Sequence, residues 1–115
     1  MSPLAREKCL PCRKGCAAAT AAERRKWLKD LPGWSVKKES GVPTLKRSFE
    51  FSDFKKALGF TDRIGAAAER QDHHPAIMLE YGKATIAWNT HAIKNLHRND
   101  FVMAAKTSAL YKSGR

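Results

Sequence analysis

No stretch of this 115-residue chain is apolar for long enough to cross a membrane as a helix, and its first residues lack the apolar core of a secretory signal. The expectation is a soluble, cytoplasmic protein with no membrane partner. The opening is basic and alanine-rich, with only Glu7 and Glu23 as acids, and this composition is compatible with organellar import. Acids are scarce throughout: 11 Asp and Glu stand against 22 Lys and Arg, for a net charge of +11. Such a balance suits an anionic partner. The basic residues nevertheless come in short clusters (Lys37 and Lys38, Lys46 and Arg47, Lys55 and Lys56) interrupted by acids, so a solvated basic surface is favoured and nucleic acid is not the expected partner.

Cysteine is absent after residue 16. Cys9, Cys12 and Cys16 form C-x-x-C-x-x-x-C, an odd count that argues against a closed disulfide framework. The next potential zinc ligand, His73, lies far outside finger spacing. Reduced thiols in a loosely docked, flexible segment over residues 1–19 are therefore expected, with any redox or metal role an accessory. Internal repeats are also lacking. A hydrophobic fraction of 43% and a charged fraction of 29% fit one soluble globular domain, placed here at residues 20–115.

Within that domain the patterning changes period four times. "TAAERRKWLKDLPGW" has Thr20 as N-cap, Glu23 three residues on to complete a capping box, an apolar stripe of Trp27, Leu28 and Leu31, and Pro32 and Gly33 as a stop. Trp34, Val36, Leu45, Phe49 and Phe51 then alternate around a turn at Gly41–Pro43, which reads as two antiparallel strands. Ser52 and Asp53 open a second helix with Phe54, Leu58, Thr61, Ile64 and Ala68 at helical spacing. "AIMLEY" and "ATIAW" flank Gly82 and Lys83, a two-residue connection suited to a type II′ hairpin. A last helix starts near His97–Asp100 and carries Phe101, Val102, Ala105, Ala109 and Leu110. The predicted fold class is α+β: a two-layer sandwich with a four-stranded antiparallel sheet, helices on one face, and the order α-β-β-α-β-β-α. The other sheet face or an outer strand edge is left for self-association.

Only four histidines are present. Two of them, His73 and His74, precede Pro75, which disfavours a helical His74 and turns the chain into a corner. Adjacent imidazoles point apart, so the doublet is a poor chelate. Asp72 stands beside it as a possible orienting carboxylate. If strands three and four form a hairpin, His91 after strand four meets the doublet at the same end of the sheet. Converging imidazoles can donate and accept protons without a metal. His97 reads as a backbone cap or a solvated side chain.

At these residues the sequence resembles the pterin-4a-carbinolamine dehydratase family, known in animals also as a dimerisation cofactor of a hepatocyte homeodomain factor. "DHHP", "TH…L…DF..AA" and "LPGW" carry the resemblance from about Leu31 to Tyr111. It implies a metal-free dehydratase acting on 4a-hydroxytetrahydropterin, the product of an aromatic amino acid hydroxylase, with pterin as substrate and no cofactor. It further implies a homodimer or homotetramer. His73 and His91 match the proton-transfer positions and His74 the one that chiefly holds substrate. Pro75, Thr90, Ala92 and Ile93 match pterin contacts, with Glu69 and Asp72 as polar supports. Asn95 replaces a common glycine, as a residue tolerant of a left-handed backbone. His97 replaces the usual Ser or Thr cap. A non-catalytic protein- or nucleic-acid-binding module is the alternative that the charge suggests.

Overall fold

Thr20 and Glu23 close the capping box that their spacing predicts. In the computed structural model, which describes residues 3–11 and 16–114, Thr20 Oγ1 accepts from the Glu23 N–H at 3.1 Å and Glu23 Oε1 accepts from the Thr20 N–H at 2.9 Å. Two donors that helix geometry leaves unpaired are thereby satisfied. A short helix α1 (Pro3–Arg6) precedes this cap, and α2 (Ala21–Leu28) follows it. Next come β1 (Ser35–Glu39), β2 (Val42–Glu50), α3 (Phe54–Gln71), β3 (Ala76–Glu80), β4 (Lys83–Trp88) and α4 (Arg98–Gly114). The strands form one antiparallel sheet in the order β1-β2-β4-β3. The α+β sandwich is as predicted, with α1 as an extra element.

The strand alternation sets the layer boundary. On β4, Ala84, Ile86 and Trp88 are fully buried, while Thr85 and Ala87 look to the uncovered face. β2 directs Leu45 and Phe49 to the helices, with Arg47 between them. That guanidinium stays inside the layer by lying 4.4 Å from the Phe49 ring centre and donating to Ser108 Oγ at 3.2 Å. Phe49 and Phe60 meet at 4.9 Å between centroids, and Tyr111 closes on both. Burying each such ring contributes about 1.5–3 kcal/mol.

Helix α4 departs from a one-sided stripe. Phe101 through Ala105 are buried consecutively, because the sheet covers one side and α1 another, where Leu4 and Ala5 join the core. Ala109 and Leu110, expected inside, are half-buried beyond this cover. In α3 the buried stripe is Ala57, Phe60, Thr61, Ile64, Ala67 and Ala68. Phe54 and Leu58, predicted to share it, lie outside at 43% and 41% exposure, since the stripe is rotated toward the small alanines that let the helix approach the sheet.

Both hairpins are shifted by one or two residues from the expected positions. The first turns on Ser40 and Gly41, both at positive φ (51° and 81°), the type I′ geometry that matches strand twist, so Pro43 already belongs to β2. The second turns on Tyr81 and Gly82, and Lys83 is already paired with Glu80. Gly82 is not at positive φ, so the predicted type II′ turn is not formed. Its glycine is needed for another reason: a Cβ there would lie 2.9 Å from the Phe51 carbonyl oxygen. The close approach serves the 2.8 Å bond from the Phe51 N–H to the Gly82 carbonyl.

Of the described cysteines, Cys16 differs from the expected reduced thiol and Cys9 does not. Cys16 is disulfide-bonded, and Cys9 is a free, half-buried thiol; Cys12 lies outside the described residues. Among the described residues no helix is long and apolar enough to cross a membrane.

Candidate active site

The corner at the histidine doublet is built by the end of α3. Asp72 takes the left-handed conformation (φ 51°, ψ 44°), its N–H reaching the Ala68 and Glu69 carbonyls, and the His73 N–H returns to the Ala68 carbonyl at 3.1 Å. This is a Schellman-type closure with aspartate where glycine is usual. Asp72 thus works chiefly through its backbone. Pro75 then sends the chain into β3.

The opposite rim is the loop after β4. Thr90 and Asn95 bridge it, with the Thr90 N–H on the Asn95 carbonyl at 3.0 Å. The left-handed residue is Lys94 (φ 49°), not Asn95 as the sequence suggested. Asn95 instead acts through its side chain, whose Oδ1 accepts from the Leu96 N–H at 2.8 Å and from Arg24 at 2.6 Å. Because Ala76 pairs with Ala87, the start of β3 lies beside the end of β4, and the two rims face each other.

Between them is a cavity of 540 Å³ lined by His73, His74, His91, Asp72, Thr90 and Ala92 from the predicted set. Pro75, Ile93 and Glu69 are not in its lining. Glu69 instead pairs with His74, Oε2 to Nε2 at 3.4 Å, both side chains exposed. A larger cavity of 640 Å³ lies by Arg47 and Ser108, with no histidine in its lining. A third of 660 Å³ runs over the uncovered sheet face and shares His74 and His91 with the first. The concentration of proton-exchanging groups makes the 540 Å³ cavity the candidate site.

The three imidazoles are held unequally. His73 is 12% exposed, stacks on Trp88 at 5.7 Å and 12°, and its Nε2 lies 2.6 Å from Asp100 Oδ1. Asp100 is completely buried, and its Oδ2 also accepts from Thr90 Oγ1 at 2.7 Å and from the His97 N–H at 2.9 Å. A carboxylate receiving three donors fixes the His73 ring in place and assigns its Nε2 the proton. The carboxylate that orients His73 is therefore Asp100, not Asp72. His91, like His74, sits on the exposed rim. Among the described residues no three His, Cys, Asp or Glu side chains form a metal-holding group.

His97 caps α4 with its ring. Nδ1 accepts from the Asn99 N–H at 3.0 Å, so the imidazole fills the part a Ser or Thr hydroxyl would play. Burial holds its pKa below the ordinary histidine value of 6.5, and Arg98 and His73 act in the same direction against the pull of Asp100. A lowered folded pKa means that the unfolded chain binds the proton more readily, so this contribution is present above about pH 6.5 and is lost as pH falls toward the folded value. Thermal unfolding at pH 7.5 and 5.5 should show the wild type losing more stability on acidification than His97→Asn, whose cap does not titrate. The difference belongs at the low end of a cap's worth, about 0.5 kcal/mol, because the ring is partly solvated.

The family model described as pterin 4 alpha carbinolamine dehydratase matches residues 17–110. The chain belongs to this family. A relative from Syntrophotalea carbinolica, named "Putative pterin-4-alpha-carbinolamine dehydratase", is 46% identical over 110 residues, covering 96% of this chain and 98% of its own. One from Marinobacter nauticus with the same name is 45% identical over 111 residues, covering 96% and 100%. A crystal structure from Brucella melitensis, titled as a transcriptional coactivator/pterin dehydratase, superposes with a TM-score of 0.73 at 33% identity over 82% of this chain and 98% of that one. A pterin dehydratase-like RuBisCO assembly factor of the alpha-carboxysome shares the fold, with a TM-score of 0.59 at 22% identity over 69% and 89%.

Two groups of this pterin dehydratase-family site escaped sequence reasoning. Trp88 read only as the last residue of the strand segment "ATIAW". Asp100 read as part of a helix start and as the acid of the family pattern, with no role at the site, although an acid three residues after a cap is itself a signal, because the third helical residue's side chain can reach back to the cap N–H.

Proposed function

We propose that the chain is a dehydratase that eliminates water from 4a-hydroxytetrahydropterin to give quinonoid dihydropterin. The observation that carries this reading is the convergence of His73, His74 and His91 on one cavity, with His73 oriented by buried Asp100. In the reaction the C4a–O bond breaks as the leaving hydroxyl takes up a proton. The adjacent ring N–H loses its proton and a C=N bond forms. With Nε2 bound to Asp100, Nδ1 of His73 is the nitrogen left to exchange a proton with substrate. His91, on the facing rim, serves the other transfer, and His74, steadied by Glu69, holds the ring. Thr90, Ala92 and Asp72, which line the cavity, complete the contacts. The pterin is the substrate, no step is assigned to a cofactor or metal, and an aromatic amino acid hydroxylase supplies the carbinolamine in a cytoplasmic recycling reaction. The exposed Ile77, Met78 and Tyr81 at the β3 edge, and Phe54 and Leu58 on α3, are where a homo-oligomer would bury apolar surface.

The test is to generate 4a-hydroxytetrahydropterin in situ and follow its decay. Acceleration by the wild type, reduced about 10- to 100-fold in His91→Ala, is the expected result. A decay rate equal to the uncatalysed one would overturn the reading. The net charge of +11 and the description of the Brucella relative as a transcriptional coactivator favour a second role in binding an acidic partner. Salt-sensitive binding that survives loss of the histidines would show it.

A further inference from the structure

The family match begins at residue 17, yet one wall of the cavity comes from before it: Cys9, Leu10 and Pro11 line the site. This stretch is firmly tied. Gln71 Oε1 accepts from the Cys9 N–H at 2.8 Å. Asn99 Oδ1 accepts from the Leu10 N–H at 2.9 Å while its Nδ2 donates to the Leu10 carbonyl at 2.6 Å, so a side-chain amide pairs with the backbone as a neighbouring strand would. Upstream, Lys106 Nζ donates to the Ala5 carbonyl at 2.8 Å, Arg98 Nε to Glu7 Oε1 at 2.9 Å, and Leu4 and Ala5 are buried.

The anchors adjoin the catalytic groups. Gln71 is two residues before His73, and Asn99 is next to Asp100, so the two groups that grip the segment share backbone with the two that define the site. Leu10 itself is 64% exposed although its backbone is paired in both directions. It is the largest apolar side chain in the lining. A leucine held in place but uncovered beside three imidazoles presents the apolar surface that a planar heteroaromatic ring would cover. Cys9 contributes an inert thiol, since burial pushes its pKa up to about 11.

We propose that Cys9–Pro11 is a substrate-contacting wall of the pterin site, with Leu10 packing against the ring and Asn99 and Gln71 as the positioning residues that hold the wall. The proposal rests on the dehydratase reading above. It makes Leu10 a determinant of affinity, not of the chemical step.

The experiment compares wild type, Leu10→Ala, Leu10→Met and Asn99→Ala in the 4a-hydroxytetrahydropterin assay, together with binding of 7,8-dihydrobiopterin as a non-reacting probe. Leu10→Ala should raise KM and the probe's Kd by about 5- to 30-fold with little change in kcat, because the contact is made equally in ground and transition states. Leu10→Met should restore most of the loss. Asn99→Ala should raise KM in the same direction by releasing the segment, and Leu10→Ala, a change at an exposed side chain, should melt within experimental error of wild type. Unchanged KM and Kd in both Leu10→Ala and Asn99→Ala, in an active enzyme, overturn the wall while leaving the dehydratase intact. A wild type that neither turns over the carbinolamine nor binds the probe overturns both.

Discussion

Asp100→Asn should lower turnover by about 10²- to 10⁴-fold with a much smaller change in KM. The carboxylate accepts a hydrogen bond from His73 Nε2 on one oxygen and from Thr90 Oγ1 and the His97 N–H on the other. An asparagine has one oxygen and one NH₂, so one of those donors must face another donor in a fully buried position. If the amide nitrogen faces His73, Nε2 becomes the acceptor and the proton moves to Nδ1, which removes the basic nitrogen from the substrate side. His73→Ala should cause a loss of similar size. The double variant should be little worse than either single one, because both substitutions disable the same unit. Multiplying losses would mean that Asp100 and His73 act separately, against the arrangement described. A KM-against-kcat split separates positioning from simple unfolding, since a folded Asp100→Asn should lose kcat while KM stays near that of the wild type.

Trp88→Ala carries the largest expected effect on stability, about 3–5 kcal/mol. The indole is completely buried at the end of β4, stacks on His73, and donates from Nε1 to Thr107 Oγ1 at 3.2 Å. Its removal leaves a cavity where the sheet, α4 and the site meet. Set against the roughly 5–15 kcal/mol by which domains are usually stable, this is enough to populate the unfolded state. Trp88→Phe keeps a ring beneath His73 and loses only the Nε1 bond and some volume, so about 1–2 kcal/mol is expected. Denaturant unfolding of the three proteins checks the ranking. Equal midpoints for Trp88→Ala and Trp88→Phe would show that the ring is not what supports this junction.

The parts of this architecture that were readable from residues alone are those governed by local rules. The Thr20–Glu23 box, the Asp53 cap, the β4 alternation and the Pro75 corner each depend on neighbours within a few positions, and each is present. The convergence of His91 on the doublet was legible because hairpin pairing converts sequence order into proximity. Features set by distant contacts were less so. The rotation of the α3 stripe away from Phe54 depends on which side of the helix the sheet approaches, and the unbroken burial of Phe101–Ala105 depends on α1 arriving from the far end of the chain. Gly82 was correctly marked as special but for the wrong reason, since its neighbour is the Phe51 carbonyl and not a turn that demands positive φ. The role of Asp100 in the site was hidden because its partners sit 10 and 27 positions away.

That same carboxylate has a consequence for motion. Its oxygens collect donors from the end of α3, from the loop after β4 and from the first turn of α4, three stretches that would otherwise fluctuate independently. None can open without stranding buried donors that belong to the others, so fraying of the α4 start is tied to the cost of a sub-global opening. The deep side of the cavity therefore behaves as a rigid floor. Adaptation to a ligand is left to the rim, where His74 and His91 are solvated and able to change rotamer.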